Sequence, residues 1–412
     1  MTAANNSSTL PHIRVLDLSR ILAGPWSSQL LADLGAEVIK IERPGSGDDT
    51  RSWGPPYVPG KAGEEHGPAA YYLSCNRGKR SVAVDITLPE GQQLIRELAA
   101  KSDVVIENFK VGGLERYSLD YESLKKVNQR LIYCSITGFG QDGPYAHRAG
   151  YDFLIQAMGG LMSITGEPDS VPGGGPVKVG VALADVLTGL YATVGILAAL
   201  SHREQTGVGQ HVDLALLDVQ VASLANQAMN YLVSGKPPVR MGNAHPNIVP
   251  YQAFKASDGY IVLTVGNDPQ FVRFCKVADR LEWAEEEHFA TNAARVRNRE
   301  VLIPLIDEVM LQHSQAWWID ELEKVGVPCG PINDLEQVFD HPQIRHRGMH
   351  VEMKHPELGE IPQVGNPIHL SETPIQYKKA PPLVGEDTES VLREVLGFTD
   401  EKLKALRDKG VA

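Results

Sequence analysis

A chain of 412 residues is long enough for two or three domain-sized cores, and with 42% hydrophobic and 22% charged residues it carries too much apolar material to stay disordered. Its formal charge of −12, with no block of like charges, disfavours broad electrostatic binding to nucleic acid or to an anionic membrane. A local basic pocket remains compatible with that total.

Cys75, Cys134, Cys275 and Cys329 are scattered, with no C-x-x-C pair. That spacing offers neither a disulfide framework nor a zinc site, and it fits a reducing, cytoplasmic compartment. Residues 1–10 are polar and lack arginine, so no secretory or mitochondrial leader is expected there. The longest apolar run, residues 186–200, is shorter than the roughly 20 residues that span a bilayer.

In chain order, residues 14–18 read as a strand, and Ala23-Gly24-Pro25 opens a helix with proline in its first turn. Leu30, Leu31 and Leu34 share one face of that helix, Gly35 supplies a left-handed stop, and residues 37–41 form a β-branched strand. So short a βαβ unit implies parallel strands. The alternation continues with a strand at 81–85, a helix at 89–100, a strand at 103–108, a helix at 121–127 and a strand at 131–137. This pattern predicts an α/β fold, a doubly wound parallel sheet with ligands beyond the carboxyl ends of its strands.

Past residue 150 the character changes. Helices are expected at 151–158 and 185–202 around a Gly/Pro-rich loop at 166–180, then a strand at 210–217 and a helix at 218–233. Residues 234–250 read as loop, and Ser257-Asp258-Gly259 joins 252–255 to 260–265 as a β-hairpin. Helices run on to Val325, residues 326–331 form a rigid connector, and the tail ends in helices at 387–396 and 400–409. The expected organisation is a larger α/β domain from both chain ends, 11–217 and 345–412, with linkers and a smaller α+β insertion at 218–344.

Several motifs invite a chemical reading. Gly138-Phe139-Gly140-Gln141-Asp142-Gly143 matches G-x-G-x-x-G, but Pro144 and a polar loop follow it where a dinucleotide site needs a helix. It is read as a turn. His341, His346 and His350 have no metal-binding spacing, and no metal is expected. Lys40, Arg43, Lys79, Arg80, Lys110 and Arg116 cluster near strand ends, where they are either solvated charges or a cradle for a phosphorylated ligand. Asp185 precedes an apolar helix. It reads as an N-cap, or as a carboxylate held ionised at the helix end and able to form acyl anhydrides.

Val15-Leu16-Asp17-Leu18-Ser19-Arg20-Ile21-Leu22-Ala23-Gly24-Pro25, with Leu34-Gly35-Ala36-Glu37-Val38-Ile39-Lys40-Ile41-Glu42-Arg43-Pro44, resembles the opening of the class III CoA-transferases. That family includes formyl-CoA transferase, carnitine CoA-transferase and the α-methylacyl-CoA racemases. Asn76-Arg77-Gly78-Lys79-Arg80-Ser81, Glu107-Asn108-Phe109 and Thr206-Gly207-Val208-Gly209-Gln210 resemble later blocks, so the likeness runs from about residue 12 to the C-terminus. It implies a Rossmann-like large domain that takes coenzyme A as acyl-CoA substrate, and an interlocked homodimer. Asp185 falls where the transferases carry a nucleophilic aspartate. Ile21, Leu22, Arg43, Val84, Asp85, Ile86, Thr87, Asn108, Phe109, Lys110, Arg116, Gly150, Tyr151 and Asp152 fall at CoA-contact positions.

The racemase branch carries Gly-His-Asp where this chain has Gly150-Tyr151-Asp152, and a tyrosine is a poor neutral-pH base for an α-proton. Leu22 replaces the glutamine of formyl-CoA transferase, and residues 234–250 lack that enzyme's tetraglycine loop. Residues 47–56, 132–138 and 248–255 are similar to the branch that moves CoA from succinyl-CoA to glutarate. The resemblance therefore implies CoA transfer to a dicarboxylate, glutarate first, through an aspartyl anhydride and an aspartyl-CoA thioester on Asp185. The alternatives are transfer to itaconate, mesaconate or oxalate, a racemase, and a non-catalytic CoA-binding protein. Tyr151 is expected near a reacting carboxylate, and Arg51, Arg77, Arg148 and His245 are candidate cations for the far one.

Overall fold

A computed structural model describes residues 8–60 and 66–412; most of the polar N-terminal stretch lies outside the described residues. Six strands, β1 (Arg14–Asp17), β2 (Glu37–Glu42), β3 (Lys79–Ala83), β4 (Val104–Glu107), β5 (Ile132–Thr137) and β6 (His211–Ala215), pair wholly in parallel. Their order is β3-β2-β1-β4-β5-β6. Central strands such as Val104–Glu107 are buried along their whole length, because helices cover both faces of the sheet. The α/β doubly wound architecture read from the sequence is the one observed.

The helices are α1 (Ala23–Asp33), α2 (Ala70–Leu73), α3 (Pro89–Ala99), α4 (Tyr121–Leu124), α5 (Asp152–Met158), α6 (Leu161–Ile164), α7 (Leu183–Thr206), α8 (Leu216–Ala222) and α9 (Ala225–Ser234). Leu94, Ile95 and Leu98 turn the apolar face of α3 onto Leu16, Ile39 and Val105. On the other side of the sheet, α7 packs a stripe of small residues, Ala184, Thr188, Gly189 and Ala192, toward α1. A Cβ on Gly189 would lie 2.7 Å from the Ala23 carbonyl oxygen, so only glycine admits this approach.

The chain divides into two compact units: one takes Met1–Gly160, Gly180–Ala228 and Pro342–Ala412, the other Leu161–Val179 and Met229–His341. Leu161–Val179, expected within the larger domain, therefore belongs to the smaller unit. That smaller unit has an antiparallel sheet of β7 (Tyr251–Ala256), β8 (Gly259–Thr264) and β9 (Cys329–Pro331). Its helices are α10 (Asp268–Val277), α11 (Glu282–Glu285), α12 (Asn292–Arg297), α13 (Arg299–Met310), α14 (Gln315–Lys324) and α15 (Leu335–Asp340), around a core that includes Phe254, Phe271, Phe274 and Trp318.

In the larger unit the tail adds α16 (Pro342–His346), the hairpin β10 (His350–His355) with β11 (Gly359–Val364), α17 (Thr388–Leu396) and α18 (Asp400–Asp408). Around α17 the tail covers the edge of β3: Ser81 N–H donates to the Asp387 carboxylate at 2.9 Å, Ala83 N–H donates to Thr388 Oγ1 at 3.0 Å, and Asp387 N–H donates to Ser81 O at 2.9 Å. Two further expectations need correction. The helix read at 218–233 is broken at Ser223 and Leu224, and α9 begins with Ala225 at φ 46°. The supposed connector at 326–331 ends in β9, a third strand of the small sheet. The β10–β11 hairpin had no counterpart in the sequence reading.

Candidate active site

The strand order reverses between β1 and β4, and the loops leaving those two strands meet at that switch point. The Asn108 carboxamide accepts Arg20 N–H at 3.0 Å and donates to Arg20 O at 2.6 Å. Lys40 Nζ donates to Ser19 O at 2.9 Å and pairs with Asp48, whose carboxylate accepts Ile21 N–H at 3.3 Å. Clamped in this way, Ile21 adopts φ 73°, a left-handed conformation that a β-branched residue rarely takes. An outlier of this kind, held by its surroundings at the mouth of a parallel sheet, points to function.

Beside this loop lies a cavity of about 240 Å³ lined by Arg43, Val84, Asp85, Ile86, Thr87, Phe109 and Arg116, among others. The structure thus brings together seven of the expected CoA-contact residues. Lys110 instead lines a neighbouring cavity of about 170 Å³ with Phe109, Glu107 and His211. Ile21, Leu22 and Asn108 belong to the clamped loops and do not line either cavity. The basic cluster also sorts itself out. Lys40 and Lys79 are fully buried, Lys40 on Asp48 and Lys79 on Asp17, and Arg80 is paired with Glu37 and Glu394. Against the penalty of burial, Asp48, Asp17 and Glu42 hold the Lys40 ammonium above its ordinary value. Arg43, Lys110 and Arg116 remain exposed, the disposition that phosphate groups require.

Asp185 is not the N-cap. Helix α7 starts at Leu183 with Ala182 as its cap residue and no side-chain cap, which leaves Asp185 third in the first turn. The missing acceptor comes from Asp152 at the start of α5: its Oδ1 accepts Ala184 N–H at 2.8 Å, and its Oδ2 accepts Gln156 Nε2–H at 2.7 Å. Gly150 packs its backbone onto Gly138 at the end of β5, where a Cβ would lie 2.5 Å from the Gly138 Cα. The G-x-G-x-x-G glycine therefore serves a close backbone crossing that delivers residues 150–152 to the start of α7.

Asp185 is half-buried, and among the described residues none donates a hydrogen bond to its carboxylate. Burial, and then the charge of Asp152, push its pKa up to about 7. The expected ionisation by the helix terminus is thus overridden. Tyr71 on α2 stands in the field of both carboxylates; burial, Asp185, Cys75 and Asp152 push its phenol up to about 12. No local pattern marks Tyr71 or Gln156, whose relation to Asp185 exists only in the folded chain. A desolvated carboxylate that is about half ionised near neutrality is well suited to attack an activated carbonyl.

The candidate cations fare unequally. Arg51 donates through Nε and NH2 to Glu42 at 2.9 and 2.6 Å and also to Tyr72 and Pro382, so it is a structural ion pair and offers no free guanidinium. Arg77 is likewise buried on Asp33. His245 belongs to the smaller unit, where burial and Arg299 lower its pKa, so at neutral pH it carries little charge for a carboxylate. Arg148 is exposed and lies over Tyr145 at 4.6 Å. Tyr151 is 64% exposed at the N-cap of α5, in the larger unit with Asp185.

A sequence model described as CoA-transferase family III matches residues 10–388. The chain is 51% identical over 391 residues to succinate–glutarate CoA-transferase of Agrobacterium fabrum, covering 95% of this chain and 96% of that protein. It is 46% identical over 407 residues to succinyl-CoA:glutarate CoA-transferase of Homo sapiens, covering 99% and 90% of the two. The crystal structure of a CAIB/BAIF family protein from Brucella suis superposes with a TM-score of 0.82 at 51% identity, over 94% of this chain and 99% of that one.

Proposed function

The chain belongs to CoA-transferase family III and is an enzyme, and from that premise we propose that it moves CoA from succinyl-CoA to glutarate through covalent intermediates on Asp185. The observation that carries this reading is the Asp185 carboxylate itself. It is half-buried in the first turn of α7, without a hydrogen-bond donor among the described residues, and basic enough to be a nucleophile that still ionises at neutral pH.

An Asp185 oxygen attacks the thioester carbonyl of succinyl-CoA, and the C–S bond breaks to give an aspartyl–succinyl anhydride and CoA thiolate. The thiolate attacks the aspartyl carbonyl, which expels succinate and leaves aspartyl-CoA. A glutarate carboxylate then attacks that thioester, forming an aspartyl–glutaryl anhydride and releasing thiolate again. Attack of the thiolate on the glutaryl carbonyl yields glutaryl-CoA and restores the Asp185 carboxylate. Every intermediate is an activated acyl group, so the cycle consumes no further energy source, provided that water is kept from the anhydrides. Arg43 and Arg116 are positioned to hold the phosphates of the CoA nucleotide end, with Ile86 and Phe109 against its apolar parts.

We also propose the interlocked homodimer and a cytoplasmic location. The outer face of α7 supports the first: Leu190, Tyr191 and Val194 are 41%, 47% and 63% exposed, an apolar strip that association would bury. By length and composition α7 would pass for a membrane span, as a core helix also can, and its buried face packs against α1 and the sheet. The four unpaired cysteines fit a reducing compartment.

The test is a panel of dicarboxylates with succinyl-CoA, read by mass spectrometry of the CoA products. Glutaryl-CoA should dominate over itaconyl-, mesaconyl- and oxalyl-CoA; preference for another acid overturns the acceptor while leaving the chemistry. Hydroxylamine should trap Asp185 as its hydroxamate only in the presence of succinyl-CoA, and an Asp185→Asn variant that transfers CoA at full rate would refute the covalent scheme.

A further inference from the structure

The Asp152 carboxylate, grouped from sequence with the CoA contacts, has each oxygen engaged on a protein donor, Oδ1 on Ala184 N–H and Oδ2 on Gln156 Nε2–H. Gln156 is fully buried and also donates to Val181 O at 3.3 Å. The two side chains therefore grip α7 at both ends of its entry, the carbonyl of Val181 and the amide of Ala184, immediately before Asp185. Nothing in α7 provides this for itself, because Ala182 has no side chain that can cap.

We propose that Asp152 is a positioning residue for Asp185: with Gln156 it fixes the first turn of α7 and so the direction from which the Asp185 carboxylate meets the thioester. This inference rests on the nucleophile reading of Asp185 and deepens it. Asp152 has a second effect through space. It is the charged group that acts on Asp185, with Tyr71 on α2 the other titratable group in range, and among the described residues no cation acts on Asp185. The negative charge of Asp152 thus raises the basicity of the nucleophile that its hydrogen bond positions.

The experiment compares kcat, KM and their pH profiles for the full-length enzyme with Asp152→Ala, Asp152→Asn and Gln156→Met. Asp152→Ala should lose about 10²-fold in kcat while KM for succinyl-CoA stays within about threefold, because positioning and not binding is lost. Asp152→Asn keeps an acceptor for Ala184 N–H, so its kcat should exceed that of Asp152→Ala by about tenfold, with the acid limb of kcat/KM moved down by about half a pH unit or more. Gln156→Met keeps the charge and cuts the tie, so it should lower kcat with the acid limb in place. Wild-type kcat in Asp152→Ala or, should that variant not fold, in Gln156→Met overturns the proposal. So does Asp152→Asn with an unmoved acid limb and a KM for succinyl-CoA raised more than about tenfold, the mark of a direct CoA contact. Infrared titration of the Asp185 carboxyl, with Asp185→Asn as blank, reads the pair without turnover. A lowered Asp185 pKa in Asp152→Asn alongside an active Asp185→Asn would therefore sink the nucleophile reading while leaving the pairing intact.

Discussion

Lys40 Nζ sits 2.9 Å from the Asp48 carboxylate with each side chain 1% exposed, and the same carboxylate accepts the N–H of Ile21. A buried pair of this kind is weak evidence for stability as a whole, but removing one partner leaves a charge with nowhere to go. Asp48→Ala should therefore lose about 3–5 kcal/mol in urea unfolding, and KM for the CoA thioester should rise as Ile21 relaxes from its left-handed conformation. Against burial, Lys40 and the Thr50 N–H hold Asp48 at about 2 in the folded state, below its ordinary 3.8. Its contribution, on the order of 2 kcal/mol, is present above pH ~4 and lost as pH falls through about 2. Equal acid sensitivity in wild type and Asp48→Asn would contradict this.

Arg51 gives a prediction of the opposite kind. Its guanidinium is shared between Glu42, Tyr72 and the Pro382 carbonyl, and it lies 3.7 Å above the Tyr72 ring. Arg51→Lys keeps the charge but loses the planar fork, so it should destabilise the fold by about 1–3 kcal/mol. KM for glutarate should stay within about twofold. A large rise in that KM with unchanged melting would restore Arg51 as the cation for the distal carboxylate.

The contrast shows what a sequence makes legible. The parallel sheet was readable because burial on both faces leaves contiguous apolar strands such as Val104–Glu107, and short βα connections leave little topological choice. The β10–β11 hairpin was not, since its inward positions include His355 and Gln363 beside Met353 and Ile361, which blurs the period-two signal. Asp185 stood out locally before an apolar helix, but only the resemblance to a known family favoured the nucleophile over the N-cap, and the N-cap reading failed because the capping acceptor is Asp152, far away in the chain. Arg51 looked free because the chain folds back to bring its partners together: Glu42 ends β2 just upstream, Tyr72 lies on α2, and the Pro382 carbonyl comes from the C-terminal tail. Local pattern reports backbone state well, whereas the commitment of a charge is settled by tertiary neighbours.

Gly189 ties packing to the site. A methyl group there would lie 2.7 Å from the Ala23 carbonyl oxygen and 2.9 Å from the Trp26 Cβ, so α1 and α7 must separate to admit it. Gly189→Ala gains helix propensity of roughly 1 kcal/mol, but overpacking against backbone costs about 1–3 kcal/mol, so the net change should be destabilising. Because Asp185 lies one turn away on α7, kcat should fall more than KM for the thioester rises. A variant with raised melting temperature and full kcat would show that the helices have room to spare.

Asp185 should make stability and activity run against each other with pH. Its folded pKa of about 7 stands above the unfolded 3.8, so the folded state binds the proton more tightly. The group is neutral in both states below pH ~4. Between pH ~4 and ~7 the unfolded chain ionises first, and above ~7 the full penalty of a desolvated charge beside Asp152 applies. Discounted for its partial exposure, that penalty is on the order of 1–2 kcal/mol. Asp185→Asn should accordingly melt higher than wild type at neutral and basic pH, with the difference closing near pH ~4. Turnover requires the ionised carboxylate, so kcat/KM should fall about tenfold per unit below pH ~7. Melting curves and initial rates on one set of buffers test both halves. An Asp185→Asn variant less stable than wild type at pH ~8 would mean that the carboxylate has partners that keep it ionised at little cost, and the basis for its reactivity would be gone.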